Sequence, residues 1–166
     1  MTITAQSDQA YATEDAAVTQ STGSVSTNDS SPEGVLTVLA VNGGAGNFGQ
    51  VLTGKYGSVR INADGSYTYT LNNSDPDTQT LGAFKTGFDS FIYTVRNSIG
   101  EHALATLTVS VNGTHDAPTA NSDSVATNAR SVGTASDNLR NNDTNYFDDK
   151  IVFRASILPD AINYVI

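Results

Sequence analysis

From about residue 35 to residue 112, apolar and polar residues alternate in short runs, and a period of two sends successive side chains to opposite faces of a strand. "VLTVLAVN" is the first such run. "SVRINADGSYTYTLNN" holds two more across the turn Asn62-Ala63-Asp64-Gly65, with Val59 and Ile61 on one face answered by Tyr67, Tyr69 and Leu71. Gly65 supplies the positive φ that a tight hairpin favours. Next come "SFIYTVRN", with Phe91, Tyr93 and Val95 inward, and "LATLTVSVNG", with Leu107, Val109 and Val111 inward and Thr106, Thr108 and Ser110 outward. "NSIGE" joins them as a short polar loop. Helical periodicity of useful length is absent, and Thr, Val and Tyr dominate the runs. The pattern predicts an all-β fold, an antiparallel β-sandwich with these eleven inward residues in its core.

The first 34 residues, rich in Ser, Thr, Ala and Gln, read as loosely packed edge strands and loops. Their pieces recur after residue 118. Ser7-Asp8 matches Ser122-Asp123, Ala12-Thr13 matches Ala126-Thr127, and Asn28-Asp29 matches Asn142-Asp143. Residues 1–118 are therefore expected to form one module and 119–166 the start of a second. Within 150–166, Ile151, Phe153, Ala155 and Ile157 alternate with their neighbours, which predicts a C-terminal strand with one apolar face.

Charge narrows the class. Acids outnumber bases 17 to 8, for a net charge of −9, which argues against nucleic acid and anionic membranes and suits cations or plain solubility. No stretch approaches the roughly 20 apolar residues of a membrane span, so no membrane insertion is expected. The absence of cysteine excludes disulfides, thiolate metal sites and a Cys nucleophile. The opening "MTITAQSDQAYATEDAAV" lacks a signal peptide's basic start and apolar centre. A secreted chain would then leave by a route that reads another segment, or after losing a leader.

In order and spacing, "STNDSSPEGVLTVLAV", "YGSVRINADGSYTYTLNNSD" and "FDSFIYTVRNSIGEHALATLTVSVNGTHDAP" resemble the VCBS-type, cadherin-like repeats of large bacterial surface proteins. The resemblance covers about residues 8–118, with a fainter echo over 119–145. It implies an extracellular, antiparallel Greek-key β-sandwich strung end to end with its copies, often in calcium-dependent adhesins exported by a type I system through an uncleaved C-terminal signal. Calcium held between modules is what the resemblance implies at the joint "VNGTHDAPTA".

The residues support that cofactor independently, because Ca²⁺ takes six to eight hard oxygens in flexible geometry. Asp116 and the amide of Asn112 offer such oxygens at the joint, and Pro118 restricts the exit direction. Further candidate ligands sit in loops expected at the sandwich ends: Glu14 and Asp15, Asp29, Asp75 and Asp77, and Asp89. Asp75-Pro76-Asp77 is expected to place both carboxylates on one side of an extended segment. Acidic residues also serve turns simply as solvated caps.

Sharper chemical readings fail on context. Gly44, Gly46 and Gly49 spell GxGxxG after a strand, but no helix pattern follows, so a flexible loop is expected. His102 and His115 lack the partners of a zinc site. Adjacent Asp148 and Asp149 point to opposite faces of a strand and cannot form a converging catalytic pair. The sequons at Asn28, Asn72, Asn112 and Asn142 arise readily in a chain rich in Asn, Ser and Thr. Tyr67/Tyr69 and Phe91/Tyr93 could stack sugars, yet alternation assigns them to the core.

The expected function is thus non-enzymatic: an extracellular structural or adhesive repeat whose partners are neighbouring copies or modules and a cell-surface or glycan target. Two alternatives stay open. One is a homopolymeric surface filament built by strand addition or donation through the C-terminal segment; the other is a carbohydrate-binding module.

Overall fold

The computed structural model describes residues 2–116. Nine strands and one helical turn follow in order: β1 (Asp8–Thr13), β2 (Gln20–Ser24), β3 (Thr37–Val41), β4 (Gly44–Ala45), β5 (Val51–Thr53), β6 (Gly57–Ile61), β7 (Ser66–Leu71), α1 (Pro76–Gln79), β8 (Thr86–Arg96) and β9 (His102–Asn112). They form two sheets, one in the order β1-β9-β8-β3-β4 and the other β2-β7-β6-β5. Apolar side chains from both sheets make one shared core.

All eleven residues expected inward are buried, none of them more than 7% exposed. The rings of Tyr69 and Phe91 meet across the sheets with centroids 6.4 Å apart. Because Tyr67, Tyr69, Phe91 and Tyr93 lie in this core, none is available for sugar stacking. Ser110, expected to face solvent, is buried. Its register places it between Tyr11 of β1 and Phe88 of β8, two large side chains flanking a small one.

The hairpin forms as its sequence predicts. Asn62 N–H donates to Ser66 O, Gly65 N–H donates to Asn62 O, and Gly65 has φ of 85°. The glycine-rich stretch after β3 is the tiny strand β4 and a loop in which Gly46 and Gly49 take positive φ, with no helix following.

One strand pair departs from the antiparallel expectation. β1 runs parallel to β9, with Asp8 opposite Leu107 and Thr13 opposite Asn112. A parallel pair cannot be closed by a hairpin and needs a long connection, here nearly the whole domain. The ends of the first and last strands therefore lie side by side.

Gly57 marks a close approach between β6 and β7. A Cβ there would press into the Thr70 carbonyl oxygen and the Tyr69 hydroxyl. Gly57→Ala is expected to cost about 1–3 kcal/mol by overpacking, seen as a lower urea midpoint with unchanged slope. An unaltered midpoint would show that the strands separate there without cost.

Candidate metal centre

Where β1 ends, Glu14 extends the parallel ladder by one bond, its N–H donating to Asn112 O at 2.9 Å. That bond pulls Glu14 inside. Asp15 then adopts a left-handed φ of 54°, a conformation Asp tolerates better than most residues, and turns the chain away. Asn73, just past β7, fixes this turn from both sides. Asp15 N–H donates to Asn73 Oδ1 at 3.0 Å, and Asn73 Nδ2 donates to Asp15 Oδ1 at 2.6 Å.

The segment leaving β9 arrives beside them. Gly113 N–H donates to Lys85 O, and a Cβ at Gly113 would strike the carbonyl oxygens of Leu81 and Gly82, so only glycine passes there without displacing that loop. Thr114 Oγ1 reaches Asp15 Oδ2 at 3.5 Å, and His115 meets the ring of Phe84 edge-on. Asp116 completes the group. Carboxylate oxygens of Glu14, Asp15 and Asp116 lie within 4.8 Å of one another.

Glu14 is the unusual member. Its side chain is fully buried, and neither carboxylate oxygen has a hydrogen-bond partner among the described residues. One oxygen of Asp116 is likewise buried and unpartnered. Burial, then the charges of Asp116 and Asp15, push the Glu14 carboxyl up to about 7, while the Thr114 backbone N–H opposes the shift without reaching hydrogen-bonding geometry. Burial and the Asp15 carboxylate also raise Asp116. Three acids converge, and among the described residues no lysine or arginine forms an ion pair with them, the pair Lys55–Asp77 lying elsewhere.

A family model described as the bacterial cadherin-like domain matches residues 2–113. The chain belongs to the bacterial cadherin-like domain family. No curated protein matches it.

Three of the eight candidate ligands thus meet in this cadherin-like domain, and five stand elsewhere. Asn112 contributes its carbonyl to Glu14, but its side-chain Oδ1 accepts from Thr86 Oγ1 at 3.0 Å. Asp75 caps α1, accepting from Asp77 N–H at 2.9 Å, so the Asp-Pro-Asp segment is a helical turn instead of an extended one. Asp77 pairs with Lys55 at 3.5 Å. Asp29 lies beside Asp8 and Tyr93, near the opposite end of β1 from Glu14.

Asp89 is buried with its oxygens already used. It accepts from Lys55 N–H at 2.6 Å, from Tyr56 N–H at 3.1 Å and from the Tyr69 hydroxyl at 2.7 Å. Three donors aimed at one carboxylate satisfy its charge without a cation. Sequence reasoning missed Asn73, Gly113 and Thr114, which position the cadherin-like domain's acidic group without adding charge to it.

Proposed function

We propose that this domain is a structural repeat of a bacterial surface protein, and that Glu14, Asp15 and Asp116 hold a calcium ion which sets the direction of the chain as it leaves the sandwich. Cadherin-like domains serve adhesion and structure and are not enzymes. The observation that carries the calcium reading is Glu14, a buried carboxylate with two bare oxygens facing two further acids. The donor set fits the ion. All the ligands are hard oxygens, and oxygens bound to one Ca²⁺ at 2.3–2.6 Å lie at most about 5 Å apart.

A bound divalent cation would offset the repulsion among the three carboxylates. It would also tie the turn at Asp15 to the segment after β9, which Thr114 Oγ1 already approaches at 3.5 Å. Residues 117–166, including the strand predicted within 150–166 on which the filament reading depends, lie outside the described residues.

Ion binding to the folded state alone stabilises it by mass action, by about 2.7 kcal/mol at 100 times Kd. The full chain, stripped with chelator at pH 7.5 and titrated with calcium chloride, should melt at steadily higher temperature and give a saturable heat of binding. No shift and no heat up to millimolar calcium would reduce the acidic group to an ordinary loop.

A further inference from the structure

The fully buried ring of Tyr93 ends in a hydroxyl with more neighbours than it can serve. Its oxygen lies 2.8 Å from Asp8 Oδ2, 3.0 Å from Gln6 O, 3.0 Å from Val25 O and 3.4 Å from Asp29 Oδ2. All four are acceptors when both acids are ionised. A phenol carries one proton, so at most one of these contacts is then a full hydrogen bond, leaving oxygens crowded against oxygens in a partly buried place. Asp29 Oδ1 is engaged separately by Gln6 N–H at 2.8 Å.

A second proton resolves the crowding. Placed on Asp8 or Asp29, it donates to the Tyr93 oxygen, which frees the phenolic proton for the carbonyl of Val25 or Gln6. Two directed bonds replace one. We propose that Asp8 and Asp29 share one proton in the folded domain, forming with Tyr93 an acid-strengthened latch that ties the segment before β1 and the loop after β2 to β8. The site is distinct from the calcium group and independent of it.

The surroundings favour this protonation. Burial raises both carboxyls, and the Asp29 charge raises Asp8 further. Hydrogen bonds from Tyr93 and Asn28 to Asp8, and from Gln6 and Tyr93 to Asp29, oppose that rise without cancelling it, and Tyr67 from β7 feels the Asp8 charge. No basic side chain is recorded against either acid among the described residues. A group raised in the folded state binds a proton that the unfolded chain releases. The latch is therefore complete below the ordinary Asp value of 3.8 and is lost as pH rises through the folded value.

The test uses the full chain in chelator, with carbon-detected carboxyl titrations and melting of wild type, Asp8→Asn and Asp29→Asn between pH 4 and 8. An amide imitates the protonated acid, so each variant should melt at or above wild type at pH 8 and lose that advantage at low pH. Each substitution should also move the remaining acid's midpoint back toward 3.8. Comparing wild type with variant at each pH cancels the contribution of the distant Glu14 group. Two acids titrating independently at ordinary values, with both variants destabilised equally at pH 4 and pH 8, would overturn the shared proton.

Discussion

Asp89→Ala is expected to destabilise the domain by about 3–4 kcal/mol, since hydrogen bonds to a charged group contribute roughly 1.5–3 kcal/mol each and do not add fully. The substitution would strand three donors in the interior: the N–H groups of Lys55 and Tyr56 and the hydroxyl of Tyr69. The first two belong to the bend between β5 and β6, and the third to β7, so one carboxylate on β8 ties two parts of the opposite sheet to its own. The bend is fitted to that carboxylate. A Cβ at Gly54 would collide with it, so chain and acid approach more closely than any other residue at 54 permits. Urea unfolding at pH 7 reads the loss directly. A change below about 1 kcal/mol would mean that water replaces the carboxylate and that the sheets are held by apolar packing alone.

Glu14→Gln should divide the behaviour of the domain in two. Calcium affinity should fall by about 100-fold or more, equivalent to about 2.7 kcal/mol, because affinity follows the number of charged ligands. Without calcium the same variant should be more stable than wild type at pH 8, by on the order of 1–3 kcal/mol, since it removes an unpartnered buried charge. The pH dependence gives the sign. Glu14 titrates near 7 in the fold against an ordinary 4.5, so acid stabilises the calcium-free domain. That contribution is complete below about 4.5 and lost as pH rises to about 7. Calcium needs the ionised acid, so its affinity should weaken as pH drops below 7. Chelated wild type and Glu14→Gln melted at pH 5 and pH 8 should converge at the lower value. Equal gaps at both would show that Glu14 does not titrate in this range.

Much of the sandwich is legible in the sequence because a period of two is a local property: Val59 and Tyr69 declare their faces within a few residues. The acidic group is legible only in part. Glu14 and Asp116 stand about 100 positions apart, and nothing near either one reveals that β1 lies parallel to β9 and brings them together. An antiparallel first strand would have carried Glu14 to the start of β9. The fate of Asp89 was hidden for a related reason, since its donors come from the other sheet. Asp75 keeps an extended backbone as the cap, but Asp77 does not, because Pro76 suits the first position of a helix as well as a strand edge.

The parallel pairing of β1 with β9 also decides how the domain meets force. Tension applied between the two ends of this domain would pull Asp8 at the start of β1 one way and Asn112 at the end of β9 the other. The two strands must then slide past each other lengthwise, and the bonds of the ladder lie across the load and resist it together. An antiparallel pair loaded at neighbouring ends would instead peel apart one bond at a time, as a zip does. With β1 on the sheet edge and bonded in this sheet to β9 alone among the described strands, that single seam would carry such a load. The backbone bond from Glu14 to Asn112 is its last stitch, and an ion on Glu14 and Asp116 would fasten the same seam beyond it.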